Sequence, residues 1–389
     1  MSATNQCIIE EFLIHSDRRK EGEKPFDLTP FIAAVDYYED IFSPCVTLKV
    51  LVINEAQVVT EDEEDTESTD DKLKALYNAL PIRGGEICRI KIGANVETNI
   101  PLDFSEKAQD YMYVTGITGV TRDAKREMFT LNLTSREAIV NETVRCYKKY
   151  SPDQNIGASV ENILTDTLGI DKDRFSVEMA ANSYGFIGNL KKPFPTIVWL
   201  AKKSVSASTG GGSAGFLFFQ TKTGYKFKSV DTLMRQETYK LTSNSGEKLK
   251  APPFYYGEAT QGFDSEDRPV NADFKILKFS IQQNNDIVKN LKLGTYSSTG
   301  MYFNPYNFEF ETLQYKRKDE IKKDNMSLMG SEDPTRYPLK LDPDTKTGSD
   351  DTIEDTATRS LTGVLDIGVL ARKDTNHLKK SNPLKFQMQ

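Results

Sequence analysis

The acid–base chemistry open to this sequence depends on its two histidines, His15 and His377. His15 follows Phe-Leu-Ile and precedes Ser16, a setting typical of a strand end, so we predict a surface or hydrogen-bonded side chain. A serine triad would have to recruit one of these near-terminal histidines, and no serine lies in a G-x-S-x-G turn. The residue types therefore argue against nucleophilic catalysis.

Two further patterns resemble chemical sites but lack the required arrangement. The glycine-rich segment 208–215 has no G-x-x-x-x-G-K-[ST] motif, and it is predicted to lead from a helix into a strand, the reverse of a phosphate-binding loop. Many Asp and Glu residues are present, but the sequence fixes no two of them at the separation that glycoside hydrolysis needs. We therefore predict that the chain is not an enzyme, and we assign no catalytic or cofactor-binding residue and no cofactor.

The four cysteines are spread widely along the chain. They lie dozens of residues apart and include no C-x-x-C pair, which indicates neither a zinc site nor a disulfide framework. We therefore predict buried free thiols and assign no metal ligand. The four residues are Cys7, Cys45, Cys88 and Cys146.

Length and charge limit the organisation and the partners of the chain. Its 389 residues favour two or three domains, at roughly 150 residues each. The formal charge of −7 disfavours nucleic acid or an anionic membrane as the main partner. Residues 61–71 hold eight acidic residues and no basic one, and removing these eight charges leaves +1 for the remainder. We predict that segment 60–73 is a mobile acidic loop between strands.

One basic and aromatic cluster could bind a partner. Residues 145–150 read Arg-Cys-Tyr-Lys-Lys-Tyr, and single-strand nucleic-acid binders combine these residue types. In a chain of this net charge, such a cluster is more typical of a solvated helix face or of a surface for an acidic protein. Four further lysines belong to the pattern: Lys191, Lys192, Lys202 and Lys203.

The N-terminal third of the chain is predicted to be a β domain. The 21 Phe and 17 Tyr residues favour many strands, and apolar residues alternate at Val46, Leu48, Val50 and Val52. Short strands at this spacing indicate a closed barrel or a sandwich.

No apolar run approaches the roughly 18 residues of a membrane helix, and the N-terminus does not resemble a signal peptide. We therefore expect a soluble protein made in a cytoplasm.

The middle of the chain changes to a helical pattern. Thr134 and Glu137 form a capping-box pattern that predicts a helix to about Lys149. A second helix is predicted over 156–168, with Gly169 as its C-terminal stop. A third helix is predicted to begin beside Pro195.

A β-hairpin is predicted over residues 214–230, with a positive φ at Gly224 in its turn.

The complete prediction is an α+β, mainly β chain with two β-barrel-like domains, a helical and hairpin insert between them, and an extended polar C-terminal tail. Segment 361–373 in that tail could supply one docked strand or helix. The predicted domains are a first barrel at 1–134, the insert at 135–254, a second barrel-like domain at 255–315 and the extended C-terminal region at 316–389.

The order of these features resembles a known family. The segments that carry the resemblance are residues 77–93, 113–142, 154–170, 189–208 and 214–234, and the helix, glycine loop and Phe-rich hairpin of 194–233 are the most specific part. Together they resemble the central baseplate hub protein of T-even-like contractile-tailed bacteriophages, over roughly residues 5–310. The resemblance implies two similar barrels per chain and a homotrimer that adapts a six-fold tail tube to a three-fold tail spike.

The resemblance also implies partners and a location. The expected partners are other copies of the chain, the tail spike protein, tail tube or tube-initiator proteins, and baseplate wedge and tape-measure proteins. The expected location is the tail baseplate of the virion, after assembly in the host cytoplasm, and interface residues are left unassigned. One alternative is a receptor- or carbohydrate-binding tail protein, which would need an exposed Trp or Tyr, whereas Trp199 is predicted in a helix with buried neighbours. A tail-associated peptidoglycan hydrolase is a further alternative.

Overall fold

The computed structural model of the chain contains two compact units. Unit 1 comprises Met1–Thr143, Gln220–Thr223 and Glu237–Ser280, and unit 2 comprises Val144–Phe219, Gly224–Gln236 and Ile281–Gln389. The predicted acidic loop 60–73, Cys7, His377 and most of the glycine-rich segment lie outside the residues that the structure describes. The described residues are 8–16, 25–54, 82–93, 101–122, 126–207, 215–234, 240–242, 248–250, 280, 297–304, 308–316 and 364–369.

Unit 1 is built on one antiparallel sheet of eight strands. Its strand order is β2-β1-β5-β7-β8-β4-β3, and β6 pairs with β5 beside this path. The strands are β1 Ile8–His15, β2 Phe26–Asp27, β3 Ile32–Tyr38, β4 Thr47–Asn54, β5 Ile87–Gly93, β6 Leu102–Asp103, β7 Met112–Arg122 and β8 Glu127–Ser135.

The two ends of this strand path are neighbours along the chain. Residues 28–31 join β2 to β3 and include a 3-10 turn at Thr29–Phe31. Leu28 is fully buried, and its N–H donates to the carbonyl oxygen of Phe12 in β1 at 2.9 Å. The Phe12 N–H in turn donates to Thr29 Oγ1 at 2.9 Å. The sheet therefore curls around one core.

The core of unit 1 follows from alternation along the strands. In β4, Leu48, Val50 and Val52 are fully buried while Thr47 and Lys49 are exposed, because successive side chains point to opposite faces. The same inward face continues in β8, the neighbour of β4 in the sheet. The predicted alternation is confirmed. The buried cluster consists of Phe12, Ile14, Leu28, Val46, Leu48, Val50, Val52, Cys88, Ile90, Ile92, Phe104, Met112, Val114, Phe129, Leu131 and Leu133.

A buried glutamine completes the hydrogen bonding of this sheet. Gln220 belongs to unit 1, and its Oε1 accepts the backbone N–H of Val46 at 3.0 Å and the hydroxyl of Ser135 at 2.9 Å. Both bonds are buried, and Val46 lies immediately before β4 while Ser135 ends β8. A single side-chain oxygen thus satisfies two buried donors at the same end of neighbouring strands.

Changing Gln220→Met is expected to lower the free energy of unfolding of unit 1 by about 1–3 kcal/mol, because the Val46 N–H and the Ser135 hydroxyl lose their acceptor while buried. The check is the rate at which a thiol reagent labels the fully buried Cys88 in increasing urea. Thr223→Ala, at an exposed position three residues further on, is the matched control and should leave that rate unchanged. Equal labelling of the two variants would contradict the prediction.

The predicted helix after β8 is shorter than expected. Helix α1 spans Arg136–Thr143, and the predicted end at about Lys149 is wrong. Thr134 is a strand residue whose hydroxyl donates to the Val46 carbonyl oxygen at 3.2 Å, so it is not the predicted helix cap. Tertiary pairing overrides the local helix pattern here. Cys146 forms an isolated antiparallel β-bridge with Lys191 through the backbone, and Lys149–Tyr150 form a strand.

Unit 2 begins with the predicted helical and hairpin region. The prediction of a second helix is confirmed, with Asn155 as its cap: Asn155 Oδ1 accepts the Gly157 N–H at 2.8 Å, and Gly169 after the helix has φ +67°. The third helix is also confirmed, although it begins at Pro193. The elements are β9 Lys149–Tyr150, α2 Ile156–Asn162 with a π turn at Ile163–Thr167, a 3-10 turn at Lys172–Arg174, β10 Phe175–Val177, β11 Phe186–Ile187 and α3 Pro193–Ala201.

The hairpin is confirmed as well. β12 Phe216–Thr221 and β13 Gly224–Ser229 are adjacent, β13 pairs in parallel with β10, and helix α4 Val230–Met234 follows. Gly224 has φ +104°, and a Cβ there would overlap the carbonyl oxygen of Arg174. The inward rings of Phe216, Phe227 and Tyr225 are buried, as the aromatic pattern predicted.

The predicted second barrel lies largely outside the described residues. In the predicted insert before it, β14 Lys240–Thr242 pairs with β15 Lys248–Lys250. β16 Ser297–Asn304 pairs with β17 Glu309–Lys316 in antiparallel and with β18 Val364–Val369 in parallel. Of the two options for segment 361–373, the docked strand is confirmed. The mainly β fold class is likewise confirmed.

Candidate interaction surfaces

The first candidate surface lies at one end of the unit 1 sheet. Within the described residues, β3 has a single neighbour, β4, so its other edge faces away from the strand path. Tyr38 at the end of β3 and Ile41 and Phe42 just after it are exposed, Phe42 to 70%. The Phe42 N–H donates to Asp40 Oδ1 at 2.8 Å, which holds this turn. We call β3 with Tyr38, Ile41 and Phe42 the edge surface.

The inner face of β3 fixes the edge surface to the core. Tyr37 packs against Phe104 with ring centroids 5.8 Å apart, and its hydroxyl donates to Glu39 Oε1. Burial, together with this bond and the charge of Glu39, raises the pKa of Tyr37 far above its usual range, so the hydroxyl stays protonated. Glu39 Oε1 also accepts the N–H of Lys222 at 2.6 Å. The strand end is therefore held by its own polar groups.

An unusual charge arrangement lies beside this strand end. Burial lowers the pKa of Lys222, while the carboxylates of Asp103, Glu106, Asp110 and Glu39 act in the opposite direction. Burial raises the pKa of Asp103, but its bonds from the Ser105 hydroxyl and N–H and the nearby lysines lower it overall. Lys222 thus lies in the field of four carboxylates beside this strand end.

The second candidate surface lies on unit 2, above an aromatic cluster. Tyr150 of β9 stacks on Phe186 of β11 with centroids 4.4 Å apart and planes inclined by 10°. Trp199 of α3 meets Phe186 and Tyr184 edge-on at 5.6 Å and 5.5 Å. Successive side chains of β9 and β11 point to opposite faces of the strand pair. Lys149 and Ile187 therefore form the cross-strand pair on the opposite, exposed face.

Apolar and basic side chains are exposed on these two strands and on the residues that flank them. Tyr147 is 72% exposed, Ile187 58% and Leu190 68%, and hydrogen bonds tie their segments together: Leu190 N–H to the Cys146 carbonyl oxygen at 2.9 Å and Gly188 N–H to the Lys148 carbonyl oxygen at 3.0 Å. We call the following six residues the basic–apolar surface: Tyr147, Lys148, Lys149, Ile187, Leu190 and Lys191.

The turn that carries Leu190 has a strained backbone. Asn189 and Leu190 have φ +51° and +56°, and the Lys191 N–H closes the turn on the Gly188 carbonyl oxygen at 3.1 Å. Left-handed conformation costs an ordinary side chain about 1–2 kcal/mol, whereas Asn accepts it readily. Leucine at this position is therefore unfavourable for folding and at the same time exposes a large apolar group.

The lysines of this surface differ in their local partners. Lys148 Nζ lies 2.6 Å from Asp166 Oδ2, and this hydrogen-bonded pair raises the pKa of Lys148 and lowers that of Asp166. Lys191 Nζ lies 5.7 Å from the centre of the Trp199 ring. Lys149 makes no ion pair within the described part of the chain. The surface thus has a net positive charge with one carboxylate at its border.

The sequence identified part of this surface. The structure brings the basic and aromatic residues 145–150 together with Lys191, through the Cys146–Lys191 bridge. Lys203 lies separately over the Tyr184 ring at 5.9 Å, and Lys202 follows α3. The exposed Ile187 and Leu190 were missed, because a two-residue strand and a turn show no periodicity.

The next residues are the histidine and the cysteines that were considered for chemistry. His15 ends β1 as predicted, but its Nε2 is buried and has no hydrogen-bond partner among the described residues, and burial followed by the Arg89 charge lowers its pKa. The prediction of buried free thiols is confirmed for Cys88 and Cys146, while Cys45 is partly buried. In the described ranges, no group of His, Cys, Asp and Glu could hold a metal ion.

The carbohydrate-binding alternative depends on Trp199. The prediction that this residue lies in a helix with buried neighbours is confirmed, since Ile197 and Leu200 of α3 are fully buried. The edge contacts of the indole with Tyr184 and Phe186, together with the Lys191 ammonium over its ring, occupy its surroundings. A sugar-stacking platform needs an open aromatic face, so this arrangement disfavours it. No helix of the described segments is both long and apolar enough to cross a membrane.

Comparisons with known proteins gave structural similarities only. No protein-family model and no curated protein matches the sequence. A 43 kDa tail protein of prophage MuSo2 from Shewanella oneidensis is similar at 12% identity over 56% of this chain and 54% of that one, with a TM-score of 0.35. A tail protein from Neisseria meningitidis MC58 is similar at 9% identity over 95% and 74%, with a TM-score of 0.42. The prophage tail protein gp18 from Listeria monocytogenes EGD-e is similar at 10% identity over 80% and 69%, with a TM-score of 0.33. The chain thus spans about half the length of the Shewanella protein.

Proposed function

We propose that this chain is a non-enzymatic structural subunit of a phage tail baseplate, acting as a trimeric hub around the tail axis. In this role it adapts the six-fold tail tube to the three-fold tail spike, and it contacts both. The hub resemblance of residues 77–93, 113–142 and 194–233 motivates the proposal. The structural observation that carries it is the edge surface of unit 1.

An edge strand on a curled sheet is suited to ring assembly. Free edges pair readily with other strands, and proteins that remain monomeric usually protect them with lysine, proline or a covering segment. The outer residues of β3 are Ala33, Ala34, Asp36 and Tyr38, so the edge carries one charge, and the apolar Phe42 follows shortly after. Strand addition at this edge would join neighbouring domains side by side, with backbone hydrogen bonds supplying affinity and the exposed aromatic side chains supplying specificity.

The test of the hub assignment is an image reconstruction of particles that contain the chain. We expect the chain at the tail axis, with barrel-like domains repeated about every 60 degrees around a three-fold axis, as six similar domains in a trimer require. A chain at the periphery of the particle, or one barrel-like domain per copy near the axis, would contradict the proposal. Clearing of a cell-wall suspension that is abolished by changing one carboxylate would contradict the non-enzymatic role.

The edge surface predicts a specific assembly defect. Phe42→Asp is expected to reduce incorporation of the chain into particles at least about tenfold, because losing an aromatic anchor at an interface costs about 2 kcal/mol or more. Incorporation is measured by quantitative mass spectrometry of purified particles.

The matched control is Val120→Asp, which places the same charge at an exposed apolar position of β7 in the same unit. We expect this control to be incorporated at the unsubstituted level. Equal incorporation of the two variants would exclude the edge surface as an assembly interface.

A further inference from the structure

The basic–apolar surface of unit 2 has the composition of a protein-binding site. Three exposed apolar side chains, Tyr147, Ile187 and Leu190, lie among lysines on two hydrogen-bonded segments. Apolar groups with a charged border are the usual anatomy of a specific interface. The strained turn at Asn189 and Leu190 presents the most prominent aliphatic group at a cost to folding, so the site is more than a stretch of exposed lysines.

Charge indicates what kind of partner fits. Lys149 is exposed on this face and makes no ion pair within the described part of the chain, the exposed Lys191 has its Nζ over the Trp199 ring, and Lys148 already shares Asp166. An acidic polypeptide is complementary to this pattern. A nucleic acid fits less well, because Tyr147 is the one aromatic residue among the six that could stack on a base, while two aliphatic groups offer nothing to a phosphate backbone.

The chain itself carries a complementary segment. Residues 61–71 contain eight carboxylates and no basic residue, and the rest of the chain carries +1. Blocks of like charge of this density often act as interaction segments. The nearest described residues on either side, Asn54 and Ile82, both belong to unit 1, which assigns the segment to the unit that does not carry the basic–apolar surface.

We infer that the basic–apolar surface of unit 2 binds the acidic segment 61–71 of a second copy of the chain. The choice of a second copy rests on the proposed function, which brings copies side by side in a ring. Lys149 and Lys191 pair with carboxylates of the segment, and Tyr147, Ile187 and Leu190 contact its backbone and the methyl groups of its threonines. These contacts would give neighbouring copies of the chain a second interface, in addition to the edge surface.

The first test is a titration of a fluorescent peptide of residues 59–73. The protein is the full-length chain in which every Glu and Asp of 61–71 is changed to Gln or Asn, so that its own segment does not compete. We expect saturable binding that weakens several-fold as salt rises from about 0.05 M to about 0.15 M, where the screening length falls to about 8 Å. An absence of binding at the lower salt concentration would overturn the inference.

Two variants identify the surface. Lys149→Glu is expected to weaken peptide binding about tenfold, because a like charge now faces the segment. Lys107→Glu is its control, an exposed lysine of unit 1 that should leave binding unchanged. Leu190→Asn suits the left-handed turn and removes the apolar group, so we expect a correctly folded chain with binding weakened about threefold. Full binding by both Lys149→Glu and Leu190→Asn would overturn the assignment to this surface.

The competing partner is excluded in the same assay. An oligothymidylate of about 15 nucleotides, long enough for a typical single-strand site, should bind more weakly than the peptide. Tighter binding of the oligonucleotide would overturn the inference in favour of nucleic acid.

A second test asks whether the segment comes from another copy. Unsubstituted chains at natural and heavy isotope abundance are mixed and treated with a zero-length carboxylate–amine cross-linker. We expect cross-links between 61–71 and Lys149 or Lys191 that combine one light and one heavy peptide. Cross-links that join only peptides of equal isotope content would overturn the second-copy assignment. The peptide titration needs no ring, so its failure contradicts this inference alone, whereas particle images without a three-fold ring contradict the proposed function.

Discussion

Changing Phe129→Ala is expected to lower the free energy of unfolding of unit 1 by about 3–5 kcal/mol, the cost of a large cavity in a close-packed core. Phe129 is fully buried in β8, and its register partner on the adjacent strand β4 is Val52. The core of unit 1 is one continuous cluster of residues between Phe12 and Leu133. Movement of a single neighbouring side chain therefore does not replace the lost contacts.

Cys88 supplies the measurement for this variant. Its thiol is fully buried in the same core, and burial, with the nearby Glu86 charge, raises its pKa well above the usual range, so it reacts only when unit 1 opens. Labelling of Cys88 in increasing urea, followed by mass spectrometry, should show the transition at a much lower urea concentration. Met128→Ala changes the adjacent, exposed residue of the same strand and should shift the transition by less than about 1 kcal/mol. Similar shifts for both variants would show that unit 1 lacks the close-packed core described above.

Changing Gly224→Ala is expected to destabilise unit 2 by about 2–4 kcal/mol, because strain and overlap act together. The backbone φ of +104° is one that side chains rarely adopt, and the added Cβ would overlap the Arg174 carbonyl oxygen. Arg174 precedes β10, which pairs with β13, so relief of the overlap would require separation of two paired strands.

Gly169→Ala is the matched control for this variant. Gly169 also has a positive φ, +67°, but a Cβ there meets nothing within 4 Å, so only the conformational cost of about 1 kcal/mol is expected. The fluorescence of Trp199 in urea reports both variants, since this residue lies in unit 2 and is the one Trp of the chain. Equal effects would mean that the approach of Arg174 to the hairpin contributes nothing to stability.

The sequence predicted those parts of the fold that depend on local pattern. The alternation of Leu48, Val50 and Val52 is visible because every second residue of β4 is buried, while Thr47 and Lys49 beside Leu48 are polar and exposed. The hairpin is visible because Gly224 supplies the conformation that its turn requires.

Other features depend on distant residues and could not be predicted in this way. The helix after β8 ends at Thr143 because residues 146–150 pair with a segment some forty positions away, as in the Cys146–Lys191 bridge. The candidate surfaces depend on which strand ends the sheet and on the two-residue strands β9 and β11, which are too short to leave a periodic signal. The lysines of the basic–apolar surface were recognisable by type, but their apolar neighbours were recognisable only in three dimensions.

The position of Gln220 has a consequence for biosynthesis. The oxygen that satisfies Val46 and Ser135 comes from a residue 174 positions after the first and 85 positions after the second. At a translation rate of about 5–20 residues per second, roughly 4–17 seconds separate the synthesis of Ser135 from that of Gln220. During that interval the nascent domain has every described strand of its sheet but waits for the acceptor of two interior donors, so its maturation on the ribosome is timed by the emergence of the hairpin.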